Sequence, residues 1–245
     1  MTFNYTDNQL NNLNQDFAVY SVNKEFSDRN KKKFVTAIPK NENETNTITT
    51  SDGQEFRVVA TKSDPGTGFD GLAVAPIVNG EPDYKSIAVI AAGTDPDSPT
   101  KIDVVTAIAE RETSISPQYF VADRFVKEIM DDPRYEVSQL SGYSQGSYML
   151  KVGAKYHIPT TTFNAWFFYL SLSNEEKAFI DKNPAMFIDY RRKSDNVVVI
   201  NDFNHPEWFN KSFLKITLVT TKNHLNSALK LTPDYWGILL AANSN

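Results

Sequence analysis

The pentapeptide Gly142-Tyr143-Ser144-Gln145-Gly146 is the part of the chain whose residue types and spacing point most directly to chemistry. It is a G-x-S-x-G pattern, which at a strand-to-helix junction forms a tight turn that presents the serine above a sheet. A side chain at either flanking position would collide with the neighbouring strand or helix, which explains the two glycines. The pattern therefore indicates a nucleophilic serine at position 144.

A serine hydroxyl is a weak nucleophile at neutral pH and needs a base within hydrogen-bond reach. All three histidines of the chain follow the serine. His224 comes directly after a predicted strand (215–221) and precedes a short helical pattern, which favours it as the base. His205 lies in a loop and is the alternative, whereas His157 falls at the predicted end of the helix after the serine, where a histidine caps carbonyls and faces away.

The base needs a carboxylate that holds its tautomer, and three aspartates lie between the serine and His224. Asp189 is inside a predicted strand (187–191) and should be buried or point off the sheet. Asp195 follows the carboxyl end of that strand, where loop residues converge on a site, and is the predicted triad acid. Asp202 remains the alternative because residues 197–200 are also strand-like.

Ester hydrolysis places negative charge on the former carbonyl oxygen, so two backbone N–H groups must already point to that position. The amide of Gln145 is one predicted donor. The other is expected in the loop after an earlier central strand. The continuous apolar run 87–92 predicts a central strand covered on both faces, and Gly93-Thr94 follows it. The Gly93-Thr94 step and Gln145 are therefore the predicted oxyanion hole.

The elements that must position these residues alternate between strand and helix. Such alternation predicts an α/β fold with a mostly parallel central sheet flanked by helices. No repeat and no linker interrupts the chain, so we expect a single domain over residues 1–245. The predicted strands are 55–61, 71–78, 87–92, 135–140, 160–163, 187–191 and 215–221, the predicted helices are 7–20, 102–110, 117–130 and 148–156, and residues 40–52 are a predicted loop.

Composition excludes several classes of function. The net charge is −5 and the 25 basic residues are dispersed apart from Lys31, Lys32 and Lys33, so we expect no nucleic-acid partner. The lysine run predicts a solvated surface or, alternatively, transient contact with anionic lipid head groups. Because the chain has no cysteine, disulfides, Cys-ligated zinc and thiol catalysis are excluded, and the proposed chemistry requires no metal or cofactor.

An aromatic run at residues 165–170 follows the predicted strand 160–163. Together with Tyr143 it could line an acyl groove over the serine, and Tyr143, Trp166 and Phe167 are the predicted substrate-binding residues. The alternative interpretation is that these aromatic side chains belong to the core.

With these motifs in place, the chain resembles the class 3, or fungal-type, lipases and their bacterial relatives over roughly residues 71–229. The resemblance rests on the Gly93-Thr94 step, Ile102-Asp103, the serine pentapeptide, residues 162–165, residues 193–197 and Asn223-His224. It implies an α/β-hydrolase fold and cleavage of lipid carboxylic esters through an acyl-enzyme, with the triad Ser144, Asp195 and His224. It also implies that Thr94, in the Gly-Thr step after the buried strand, is the second oxyanion donor. The chain departs from the family at Ala92, where arginine is frequent, and at Tyr143, where histidine is frequent.

The leaderless, cysteine-free and Asn-rich character also resembles the lipase domain of type VII-secreted antibacterial lipase toxins. That resemblance implies an immunity protein and secretion-targeting partners. Because the first 30 residues lack a signal-peptide pattern and no apolar run has the length of a membrane span, we expect a cytoplasmic protein or export by a leaderless route. A non-lipid esterase or thioesterase, and an inactive binding module with the same fold, are the alternative functions.

Overall fold

A computed structural model of the chain describes residues 2–15, 18–113, 115–192 and 215–219. The helices are α1 (Asp7–Gln15), α2 (Lys24–Asn30), α3 (Ile102–Thr113), α4 (Pro117–Met130), α5 (Met149–Tyr156) and α6 (Asn174–Lys182). The strands are β1 (Phe34–Val35), β2 (Glu44–Thr45), β3 (Thr47–Thr49), β4 (Glu55–Asp64), β5 (Phe69–Val78), β6 (Glu81–Pro82), β7 (Ile87–Ala91), β8 (Val137–Tyr143), β9 (Thr160–Phe163), β10 (Phe187–Arg192) and β11 (Lys215–Val219). Short 3₁₀ helices cover Tyr20–Val22, Ser144–Tyr148, Tyr169–Ser171 and Pro184–Met186.

One mixed sheet organises the described part of the chain, in the strand order β11-β10-β9-β8-β7-β5-β4-β3. The strands from β7 to β11 are parallel neighbours, whereas β3, β4, β5 and β7 pair antiparallel. The predicted α/β class is confirmed at this level: a mixed sheet with a parallel half, flanked by helices. Because the parallel strands run the same way, the ends of β7, β8, β9 and β10 lie along one edge of the sheet.

Strand β7 shows why the sheet is covered on both faces. All five of its residues are buried, and successive side chains point to opposite faces. Ala88 and Ile90 join a cluster with Leu10 and Leu13 of α1, whereas Ile87 and Val89 join a cluster with α4 and α5. The apolar run at 87–92 thus predicted a doubly covered central strand, and the structure confirms it.

Local capping signals fix several helix ends. Helix α4 begins as predicted because Ser116 accepts a hydrogen bond from the N–H of Gln118 and Pro117 occupies the first turn. Two helices that the apolar pattern did not predict also have caps: the Asn23 side chain caps α2, and Ser173 with Glu176 forms a capping box on α6.

Two predictions from the sequence were wrong. The first helix was expected to reach residue 20, but α1 ends at Gln15 and a separate 3₁₀ turn covers Tyr20–Val22. The predicted loop 40–52 contains β2 and β3, because Thr47–Thr49 pairs with β4 and supplies the edge of the sheet. Within the described residues, no helix is long and apolar enough to cross a membrane.

Candidate active site

Ser144 lies directly after β8, where the strand turns into the 3₁₀ helix that precedes α5. Its φ angle is 49°, in the left-handed region that residues other than glycine rarely adopt. Such a conformation costs of the order of 1–3 kcal/mol and persists only where the surroundings impose it. The side chain is half-buried, so a strained backbone presents a hydroxyl that solvent or a ligand can reach.

The two glycines of the pentapeptide are required by contacts on opposite sides of this turn. A Cβ atom on Gly142 would lie 2.6 Å from the carbonyl carbon of Gly146, inside the turn itself. A Cβ atom on Gly146 would lie 2.6 Å from the carbonyl oxygen of Ala92 and 2.7 Å from that of Ala91, at the end of β7. The steric reason inferred for both glycines is therefore confirmed.

The carbonyl of Ser144 is held by the turn that follows β9. The N–H of Trp166 donates to this carbonyl at 3.0 Å. One residue earlier, the N–H of Ala165 donates to Oδ1 of Asp189 at 3.2 Å. Asp189 is fully buried in β10, where it also accepts from the Thr162 hydroxyl at 3.1 Å, so it supports the turn and is confirmed as a residue inside the strand.

The loop after β7 packs against the serine turn. A Cβ atom on Gly93 would lie 2.7 Å from the carbonyl oxygen of Tyr143, so the backbones of the two segments touch. The N–H of Gly93 donates to the hydroxyl of Tyr20 at 3.2 Å, and burial raises the pKa of that hydroxyl well above its usual range. The N–H of Gly93 therefore already has a hydrogen-bond partner.

Two other N–H groups remain beside the serine. The N–H of Thr94 has no hydrogen-bond partner within the residues that the structure describes. The N–H of Gln145 lies in the first turn of a helix, where backbone donors have no partner inside the helix. The structure thus places both predicted donors in adjoining segments, and their role as an oxyanion hole stays a prediction.

The side-chain amide of Gln145 joins the Thr94 loop to α3. It lies 2.9 Å from the Thr94 hydroxyl and 2.9 Å from the Thr106 hydroxyl. With its nitrogen toward Thr94 and the carbonyl of Asp103, its oxygen accepts from Thr106 and from the N–H of Ala107. The side chain is fully buried, so this bridge fixes the loop relative to the serine turn.

Asp103, in the first turn of α3, is a second anchor of the loop. Its Oδ2 accepts from the N–H of Asp95 at 3.1 Å, and its Oδ1 accepts from Nε2 of Gln118 at 2.8 Å. Asp95 in turn forms an ion pair with Arg29 of α2. Burial, together with the charges of Asp70 and Asp95, raises the pKa of Asp103 to about 7. Sequence reasoning recognised this segment but not its role, because the contacts join residues from separate elements.

The predicted substrate-binding residues are more buried than a groove lining would require. Tyr143 is 9% exposed and belongs to the cluster on the α1 side of the sheet. Trp166 is 6% exposed and packs edge to face on Phe168, with ring centroids 5.6 Å apart. Phe167 is half-buried against the cluster that contains α6 residues. For Tyr143 and Trp166 the alternative interpretation, packing in the core, agrees better with these positions.

His157 ends α5 in the left-handed conformation, with φ 59°, and its N–H donates to the carbonyl of Gly153. Its ring stacks on Phe179 with centroids 3.9 Å apart. Because the whole of α5 separates it from the serine turn, it lies roughly 20 Å from Ser144 by helical rise. The prediction that His157 is a helix-terminal residue facing away from the serine is confirmed.

The remaining triad candidates, Asp195, Asp202, His205 and His224, lie outside the described residues. Among the described residues the Ser144 hydroxyl has no hydrogen-bond partner, and no group of three His, Asp or Glu side chains could hold a metal ion. Comparisons with protein-family models, with curated proteins and with solved structures found no match.

Proposed function

We propose that this chain is a serine hydrolase of the α/β-hydrolase fold that cleaves carboxylic esters of lipids. The observation that carries the proposal is the left-handed backbone of Ser144, held in a turn where a Cβ atom on either flanking glycine would collide with backbone atoms. A hydroxyl presented in this way beside two N–H groups with no partner in their own elements fits nucleophilic attack on a carbonyl carbon.

In the proposed mechanism, the Ser144 oxygen attacks the ester carbonyl while His224 takes its proton and Asp195 orients the imidazole. The negative oxygen of the tetrahedral intermediate accepts hydrogen bonds from the N–H groups of Gln145 and Thr94. His224 then protonates the leaving alcohol, which leaves an acyl-enzyme, and a water activated by the same histidine releases the acid. No step requires a metal or a cofactor.

Three exposed apolar side chains support a lipid as the source of the ester. Val105 and Ile108 lie on α3, directly after the Thr94 loop, and Leu170 follows the turn that holds the Ser144 carbonyl. Large apolar side chains in solvent near a site are typical of surfaces that meet an apolar ligand. A preference for short over long acyl chains, with no gain in rate at a lipid surface, would instead favour the alternative of a small-substrate esterase or thioesterase.

A fluorophosphonate probe tests the nucleophile, because it reacts only with an activated serine. We expect one adduct per chain, located by mass spectrometry on Ser144 and absent in Ser144→Ala. Ser147→Ala is the matched control, since Ser147 is in the same 3₁₀ helix, is fully buried and has a hydroxyl without a partner in the described structure. No labelling of a folded wild-type protein would refute the proposal and favour an inactive binding module.

Paired substitutions test the base and the acid. His224→Ala and Asp195→Asn should each lower kcat for a short-chain ester by at least about a thousandfold, as expected for members of a triad. His157→Ala is the control, because the structure places this residue at the far end of α5. If His205→Ala or Asp202→Asn shows the larger loss, the alternative residue takes the role, and the nucleophile assignment is unaffected.

A further inference from the structure

The lysine run at residues 31–33 belongs to a surface segment whose only charges are positive. Residues 31–40 contain four lysines and no acidic residue, in a chain whose net charge is −5. All four lysines are exposed. Lys31, Lys33 and Lys40 form no ion pair within the part of the chain that the structure describes. Even when Glu42 and Glu44 are included, lysines outnumber acids four to two in this part of the surface.

Backbone hydrogen bonds hold this segment in a defined conformation. Lys31 caps α2 in the left-handed region, with φ 53°, and the N–H of Lys32 donates to the carbonyl of Ser27 at 2.9 Å. Two residues later the N–H of Phe34 donates to the carbonyl of Asn43 at 2.9 Å, where β1 pairs with β2. The lysine run is therefore part of the fold, and its backbone needs no further ordering to meet a partner.

A pocket of about 540 Å³ lies between the end of α2 and the residues that lead into β2. Its lining includes Lys24 and all three lysines of the run, and we call it the lysine-lined pocket. Both carboxylates in the lining already have partners: Asp28 pairs with Lys24, and Glu44 accepts from the backbone N–H of Lys40 at 2.6 Å. A concave site of this size, lined by ammonium groups, suits an anionic head group.

Ile38 adds an apolar side chain to the same segment. It is 76% exposed, more than any other large apolar side chain in the described residues. It lies at a bend, five residues after Lys33 and two before Lys40. An exposed isoleucine flanked by lysines fits an anionic bilayer, where the ammonium groups lie among the head groups and the apolar side chain inserts at the acyl boundary. A nucleic acid backbone or a soluble anion offers the isoleucine no apolar environment.

We propose that residues 31–40 dock the protein on an anionic bilayer, with a phosphate-bearing head group in the lysine-lined pocket and Ile38 inserted between lipids. Charge complementarity and the exposed apolar side chain together define this partner. The segment is also joined to the candidate oxyanion loop, because Arg29, two residues before the run, pairs with Asp95, the residue after Thr94. An increase in ester hydrolysis on docking would rest on the proposed function, but the docking itself does not.

Sedimentation with vesicles of diether lipids measures docking separately from catalysis, because these lipids have no carboxylic ester that the proposed chemistry could cleave. We expect vesicles of equal parts phosphatidylglycerol and phosphatidylcholine to bind the protein. Pure phosphatidylcholine vesicles should bind it at least about tenfold more weakly, and added NaCl should weaken binding to the anionic vesicles.

A triple substitution, Lys31→Gln with Lys33→Gln and Lys40→Gln, should weaken binding to the anionic vesicles at least about thirtyfold, since each lysine near such a surface contributes about fivefold. The matched control makes the same change of charge at three exposed lysines on other parts of the chain, Lys62, Lys85 and Lys182, and should lose far less. Ile38→Ser should weaken binding by about fivefold, whereas Val78→Ser, which alters an exposed apolar side chain on β5, should not.

Equal binding to the two kinds of vesicle, or equal losses in the two triple variants, would overturn the proposal. Binding of Ile38→Ser that matches the wild type would indicate a site for soluble polyanions and would overturn it as well. Circular dichroism checks that each variant is folded. These measurements read binding alone, so they stand even if the fluorophosphonate experiment finds no active serine.

Discussion

The pH dependence of stability should change when Asp70 is replaced by asparagine. In the unfolded chain this carboxyl titrates near the ordinary aspartate pKa of 3.8, whereas in the folded protein burial raises its pKa to about 7. Between these two pH values the folded protein holds a proton that the unfolded chain releases. The contribution of Asp70 to the free energy of unfolding therefore falls as pH rises from about 4 to about 7 and then levels off.

The size of the effect follows from the same pKa difference. Each pH unit in that interval corresponds to about 1.4 kcal/mol for one group, so Asp70 alone lowers the stability at pH 8 by up to about 4 kcal/mol. Asparagine carries no charge at any of these pH values. Asp70→Asn should thus be about 2 to 4 kcal/mol more stable than wild type at pH 8 and nearly equal to it at pH 4. The pKa of Asp103 should fall in the variant, because the charge of Asp70 contributes to its rise.

Urea unfolding followed by circular dichroism at pH 4.5, 6 and 8, with ionic strength held constant, measures this difference. Asp132→Asn is the control with the opposite sign, because Arg134 lowers the pKa of Asp132 to about 2 and the charged form is favoured in the folded protein. A stability difference for Asp70→Asn that is the same at all three pH values, or a variant less stable than wild type at pH 8, would refute the reasoning.

Three further predictions follow from the site. Gly146→Ala should lower the free energy of unfolding in urea by at least about 2 kcal/mol, because its Cβ would lie 2.6 Å from a backbone carbonyl oxygen at the end of β7. Gly66→Ala is the control and should be tolerated, since its Cβ would lie 3.5 Å from the nearest side-chain atom. Equal losses of stability in the two variants would contradict the steric argument. Asp103→Ala should lower kcat for a short-chain ester by about tenfold with little change in KM, because the loop that carries the candidate oxyanion donor loses an anchor. A change in KM alone would mean that the loop acts in substrate binding. Expression of the wild type inside bacteria should slow growth and alter membrane lipids while Ser144→Ala does not, and equal growth of the two strains would remove the support for an antibacterial role with an immunity protein.

Local patterns in the sequence were sufficient to predict features that depend on a single strand, helix end or turn. The run at 87–92 predicted a strand buried on both faces, since every side chain is apolar whichever way it points. Ser116 and Pro117 marked the start of α4, and the two glycines around Ser144 marked a turn without room for a Cβ atom. The capping residues Asn23 and Ser173 carried equally local signals for α2 and α6, which a search based on apolar periodicity missed.

Contacts between distant segments could not be predicted in this way. The hydrogen bond from Gly93 to Tyr20 joins residues 73 positions apart, and the carboxyl of Asp70 acquires its raised pKa only when α2, β5 and α3 close around it. Tyr143 and Trp166 were assigned to a groove by their chemistry, but the packing of neighbouring elements buries them. Residue types and spacing thus determined the serine turn, because its constraints are steric and local. Burial and charge pairing were decided by the tertiary structure, because desolvation and electrostatic energies depend on which segments meet in space.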